Sequence, residues 1–344
     1  MSQDIRIKKG LDIKLKGEAE KVTNKTISNN VYTLKPEDFH SITPKLSVKV
    51  GDKLKAGESV FFNKANEYMK FPSPVSGELV DIIRGEKRKI LEIKIEADKK
   101  QVFADFGLKN PKEMNGDEIK AHLLASGCWP FIKQRPYDVI ADTAKTPKAI
   151  FVSAYASAPL AADYDYVLTG KEKELQTAVI ALNKLTSGAV HVSVGKKSNS
   201  PLEGLDNISL HKVSGPHPSG NVGTQIAKID PVNKGEVVWT ITPQDLVIIG
   251  ELLLTGKFNA ERIIALAGSS VQSPKYFTAK IGTSIAAITD GNLKEGEHRT
   301  ISGNVLTGKA QNLIGALGYY DNVVRVICEG NGYECCGWTA PVLK

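Results

Sequence analysis

The sequence contains no apolar run of the about 20 residues needed to cross a bilayer. Its nearest approach, LVIIGELLLTG at 246–256, is too short and carries Glu251. The first twenty residues hold no apolar h-region, so no secretory signal is expected. The chain is therefore expected in the cytoplasm, with any membrane link peripheral. Cysteine is scarce: Cys128, Cys328, Cys335 and Cys336 make no disulfide framework. The spacing of the last three lacks the paired C-x-x-C of zinc and iron–sulfur sites and has no histidine beside it, so free thiols are expected and no metal. Phosphate fingerprints are missing too, with neither G-x-x-x-x-G-K-[ST] nor G-x-G-x-x-G anywhere in the chain.

What is present is the composition of a globular protein. The 344 residues are 41% hydrophobic and 24% charged, with 30 Gly and 16 Pro, enough for two or three domains. The formal charge is +7, but Lys and Glu are mixed almost everywhere. The exception is a basic cluster of Arg6, Lys8, Lys9, Lys14 and Lys16, read as a solvated strand face in preference to an anionic-surface contact.

Residues 1–35 read as an arm with one alternating strand and no core of its own. From 36 to 103, short strands punctuated by turns at Gly51-Asp52, Ala56-Gly57-Glu58, Val75-Ser76-Gly77 and Gly85 predict a compact β module. It resembles the biotinyl/lipoyl-type barrel-sandwich hybrid. Lys64 and Lys70 lie where carrier members hold their prosthetic lysine, but neither has the usual neighbours, so a structural module is expected.

From 104 to 257 the period changes to alternating strands and helices, which predicts a Rossmann-like α/β domain. Ile119, Leu123 and Leu124 mark a first helix that stops at Gly127, and Leu175, Val179, Leu182 and Leu185 form the stripe of a second. Thr242, Pro243 and Asp245 signal the start of a third. From 258 to 344 the chain is β-rich again around one short helical piece near 280, similar to a small β-grasp (SLBB-like) module. The whole is an α+β multidomain chain.

Two stretches invite a nucleotide reading. SGPHPSGNVGTQIAKIDP (214–231) has Gly215, Gly220 and Gly223, but Pro216 and Pro218 remove two backbone donors. It reads as a looping connector that positions His217. ASGCWPFIKQRPYDVIAD (125–142) has one glycine and fills the remaining space with Trp129, Pro130 and Phe131. A flat head group with two carbonyls suits it better, stacking on Trp129 or Phe131 and accepting hydrogen bonds from Arg135, Lys133 or Tyr137. His217 is an outlying candidate for the same ligand, and no residue reads as catalytic.

Six stretches carry a more specific likeness, in this order: IKKGLDIKLKGEAE, VKVGDKLKAGESVF, SPVSGELVDIIRGEKR, SGCWPFIKQRPYDVI, PKAIFVSAYASAPLAADYD and GPHPSGNVGTQIAKIDPV. Together they resemble the A-subunit family of the sodium-translocating NADH:quinone oxidoreductase, a multi-subunit bacterial respiratory complex. The resemblance implies a peripheral subunit on the cytoplasmic face of the inner membrane, beside integral membrane subunits and associated with quinone. It implies no flavin or iron–sulfur centre in this chain, those groups and NADH belonging to other subunits, and no activity of the isolated chain. In relatives a run of the type G-x-G-G-A-G-F-P cradles a flavin phosphate; the corresponding stretch here is ASGCWPFIKQRPY, with Gly127 alone retained. Family members continue into a helical C-terminal region, so the chain is expected to be truncated there. Two alternatives stay open: an architectural adaptor without ligand, and a free-standing nucleotide-dependent oxidoreductase.

Overall fold

A computed structural model describes residues 3–330; Cys335 and Cys336 lie outside them. Its middle is a seven-stranded sheet, in the order Gln3–Arg6, Ser209–Ser214, Val190–Gly195, Ile150–Ser153, Val238–Ile241, Lys133–Arg135 and Val139–Ile140. The first five run parallel; Lys133–Arg135 pairs antiparallel with Val238–Ile241, and Val139–Ile140 antiparallel with Lys133–Arg135. From Ile150–Ser153 the chain builds outward through two strands, then returns to lay Val238–Ile241 on the other side. The strand order therefore reverses between Ile150–Ser153 and Val238–Ile241, as in doubly wound sheets.

The helices of this layer end where their local chemistry says. Asn115 and Glu118 exchange reciprocal cap bonds at the start of Gly116–Ala125. Pro243–Thr255 begins on Thr242, whose side chain accepts from the Asp245 N–H, and stops at Gly256 in the left-handed region. The apolar stripe of Glu172–Asn183 is fully buried, and this helix packs on Pro243–Thr255 at Gly250. A Cβ at Gly250 would stand 1.9 Å from the Glu174 carbonyl oxygen, so only glycine lets the two helices approach this closely.

Before this layer come two smaller sheets. One joins Val31–Leu34, Ile90–Ala97, Gly77–Arg84 and Lys53–Leu54; the other joins Pro44–Leu46, Ser59–Asn63 and Asn66–Pro72. Phe61, Phe71, Leu79, Ile93 and Ile95 are buried between them. Lys64 stands on the exposed hairpin tip after Ser59–Asn63, while Lys70 lies within the next strand, opposite Phe62. After the α/β layer comes a six-stranded sheet ordered Lys309–Gln311, His298–Ser302, Val323–Cys328, Glu261–Ala267, Lys275–Lys280 and Glu20–Thr26, with the short helix Ile285–Thr289.

Two segments differ from their sequence reading. The arm contributes two strands, not one: Gln3–Arg6 extends the seven-stranded sheet and Glu20–Thr26 the six-stranded one, both parallel to their neighbours. Each covers a sheet edge whose backbone groups would otherwise be open, which a search for local cores does not reveal. The connector at 214–231 contains the helix Val222–Ile229, started at Asn221 after both prolines are spent in the preceding turn. Its Ile226 packs with Phe151 and Val238.

Candidate functional site

In a doubly wound sheet the crevice forms where strand order reverses, beyond the carboxyl ends of the strands. Here a cavity of about 180 Å³ occupies that position. Ser153 and Ile241 supply the strand ends, and Thr242 and Asp245 the start of the following helix. Lys133 and Arg135 enter from the neighbouring antiparallel strand, where a spacing of two residues puts both on one face. Phe131 and Tyr320 complete the apolar wall. A wider groove of about 490 Å³ adjoins it, sharing Arg135, Ser153 and Val222.

The charges in this cavity are tied together. Asp138 lies 3.3 Å from the Arg135 Nη2 and 3.9 Å from the Lys133 Nζ. The Lys133 ammonium sits 3.8 Å from the Tyr320 ring centroid, and the Tyr320 hydroxyl donates to the Pro130 carbonyl at 2.8 Å. Burial holds that phenol well above its ordinary value. At the floor, Asp245 accepts from the Thr242 hydroxyl at 2.7 Å and from the Arg262 guanidinium. Burial pushes the Asp245 carboxyl up, while Arg262 and Thr242 pull it back. The arrangement presents two cations to a small space with aromatic walls. It suits a flat, carbonyl-bearing ring.

Three family models match the chain: the NqrA N-terminal barrel-sandwich hybrid domain over residues 5–98, the NqrA second alpha/beta domain over 114–258, and the NQRA C-terminal domain over 263–312. The A-subunit of the Na(+)-translocating NADH-quinone reductase of Neisseria meningitidis serogroup A is 36% identical over 340 residues, covering 98% of this chain and 76% of that protein. The chain belongs to the NqrA family. The corresponding protein of Haemophilus influenzae is 35% identical over 341 residues, with the same coverage of both chains. A solved NAD+-reducing [NiFe]-hydrogenase is similar to 54% of this chain and 41% of its own, at 13% identity and a TM-score of 0.39.

Within this NqrA fold, the residues singled out in 125–142 separate. Phe131 lines the cavity and is stacked on Tyr319 at 5.4 Å and on Phe258 at 6.3 Å, with the Arg262 guanidinium 5.6 Å from its ring. Arg135 lines it as well. Trp129 does not: it is fully buried, donates from Nε1 to the Ala141 carbonyl at 2.8 Å, and meets Trp239 edge to face. Tyr137 is 80% exposed, lies beyond the end of the strand at Arg135, and does not line this cavity. His217 lies in a separate turn, its Nδ1 3.1 Å from the Ser157 hydroxyl and its backbone N–H donating to Asp12. Cys128 is buried and its thiol is pushed up to about 12, so it is no nucleophile.

Gly127 is occupied with structure. It adopts φ +73°, ending the turn after Gly116–Ala125, and a Cβ there would meet Pro72 at 2.6 Å. Asp138, Thr242, Asp245 and Tyr320 were absent from the site read in sequence. For Tyr320, 190 residues from its partner Pro130, sequence offered no signal.

Proposed function

We propose that this chain is the peripheral A-subunit of a sodium-pumping NADH:quinone reductase, on the cytoplasmic side beside integral membrane subunits, and that it holds a quinone headgroup in the cavity at the strand-order reversal. The observation that carries this reading is the pairing of Lys133 and Arg135 with Phe131 and Tyr320 in about 180 Å³. That volume accommodates one substituted ring. Quinone carbonyl oxygens accept from the two cations, and the ring packs on the aromatic wall.

Flavin and iron–sulfur centres belong, in this reading, to other subunits, and the isolated chain has no turnover. The support is local. Gly127 is committed to a helix end and to Pro72, and the buried 3-10 turn Trp129–Phe131 fills the ground a phosphate would need. Stoichiometric flavin absorption in the purified chain would overturn this part.

The site itself is tested in the assembled complex. One charge-assisted hydrogen bond is worth about 1.5–3 kcal/mol, or about tenfold or more in affinity. Arg135→Ala and Lys133→Ala should each weaken quinone affinity about tenfold. Tyr137→Ala should leave it within about twofold, since the exposed ring touches no wall. Unchanged affinity in both cation variants would leave the chain an architectural adaptor.

A further inference from the structure

A second cavity, of about 170 Å³, lies between the loop after Ile150–Ser153 and the six-stranded sheet. Its loop wall is made of small side chains, among them Ala156, Ala161 and Ala162; its sheet wall carries Arg325, Asp321 and Asn322. Arg325 stands mid-strand in Val323–Cys328, which is paired on both sides, and it is 1% exposed. Its Nη1 donates to the Gly303 carbonyl at 2.5 Å, and its Nε has no hydrogen-bond partner. Among the described residues it makes no ion pair.

A buried guanidinium with no ion-pair partner is unfavourable, and here it borders the cavity. Burial brings its pKa down to about 10, with the Asp321 carboxyl pulling the other way through space. Asp321 borders the same cavity; its Oδ2 accepts from the Ser302 hydroxyl at 2.6 Å, and burial raises its carboxyl. The cavity thus offers a forked donor on one side and an acceptor on the other.

We infer that this cavity binds a small oxyanion that also carries a hydroxyl, its charged oxygens on Arg325 and its hydroxyl donating to Asp321. Hydrogen phosphate and a short hydroxycarboxylate share that chemistry. A simple carboxylate lacks the donor and would set its far end against Asp321. The site is distinct from the quinone cavity and does not depend on that reading.

The test is calorimetric titration of the full chain with inorganic phosphate, lactate and propionate. Saturable binding of phosphate or lactate is expected, with propionate at least tenfold weaker than lactate if the ligand is a hydroxycarboxylate. Binding of phosphate alone assigns the site to phosphate. Arg325→Met should weaken binding at least tenfold, and Ala161→Leu, which keeps the arginine and fills the space from the loop side, should do the same. No saturable binding by phosphate or lactate, equal binding of lactate and propionate without phosphate binding, or unchanged affinity in both variants overturns the inference.

Discussion

Replacing Arg262 by methionine should convert the buried ion pair beneath the cavity at the strand-order reversal into a pH-dependent weakness. Arg262 comes from Glu261–Ala267 of the six-stranded sheet and Asp245 from the first turn of Pro243–Thr255, and both side chains are 1% exposed. In the intact protein, burial already raises the Asp245 carboxyl against the pull of Arg262 and the Thr242 hydroxyl. Without Arg262 the carboxyl keeps only the Thr242 hydroxyl and the Lys133 charge against desolvation, so its value rises further. Breaking buried pairs by removing one partner costs about 3–5 kcal/mol, which sets the scale at pH 7. The sign follows from linkage. The folded variant holds a proton that the unfolded chain releases, so the Asp245 contribution is intact below about pH 4 and is lost as pH rises toward the folded value. A smaller, pH-independent loss comes from the contact between Arg262 and Phe131. Urea unfolding of wild type and variant at pH 5 and pH 7 measures both parts, and adding Asp245→Asn should remove most of the pH-dependent part. A deficit under about 1 kcal/mol at pH 7, or one equal at both pH values, would refute the reasoning.

Two further predictions concern stability alone. Gly250→Ala should destabilise by about 3 kcal/mol in thermal or urea melts, because its Cβ would stand 1.9 Å from a backbone oxygen that cannot move without parting two helices. His211 has no exposed surface, lies 3.0 Å from His191 Nδ1, and is lowered to about 4, first by burial and then by His191. Its folded value lies below the unfolded one, so its contribution is present above about pH 6.5 and is lost as pH falls toward 4, a decline of about 3 kcal/mol. His211→Gln should flatten that acid limb, and an unchanged limb would assign acid lability to other groups.

The fold was readable where the determining chemistry is local. Thr242, Pro243 and Gly256 bracket a helix within fourteen residues of one another, and the stripe from Leu175 to Leu182 is one face of another, with Leu185 in the turn after it. The alternating runs around Gly85 became the paired strands Gly77–Arg84 and Ile90–Ala97 for the same reason. One arm strand was readable, but not the second strand or where either would pair, because Gln3–Arg6 and Glu20–Thr26 find partners more than two hundred residues away. Within the site, the sequence offered Lys133 and Arg135 as donors to one ligand, but not the strand that puts both on one face. It could not say that Tyr320 would close the wall.

Aromatic content misleads about Trp129 for a reason that bears on the whole loop. Composition makes Trp129 and Phe131 equivalent shelves for a ring, but two residues of 3-10 turn send them to different neighbours. Trp129 turns inward, where the Ala141 carbonyl satisfies its indole N–H; Phe131 reaches the cavity beside Tyr320. The buried tryptophan therefore sets the depth of the loop, and Phe131 takes the cavity-facing position. Restoring glycines around Gly127 would not restore a phosphate cradle, because the volume is held by a side chain whose only polar atom is already bonded. The space left after Trp129 is packed is bounded by Phe131, Tyr320 and two cations, both within ion-pair reach of Asp138.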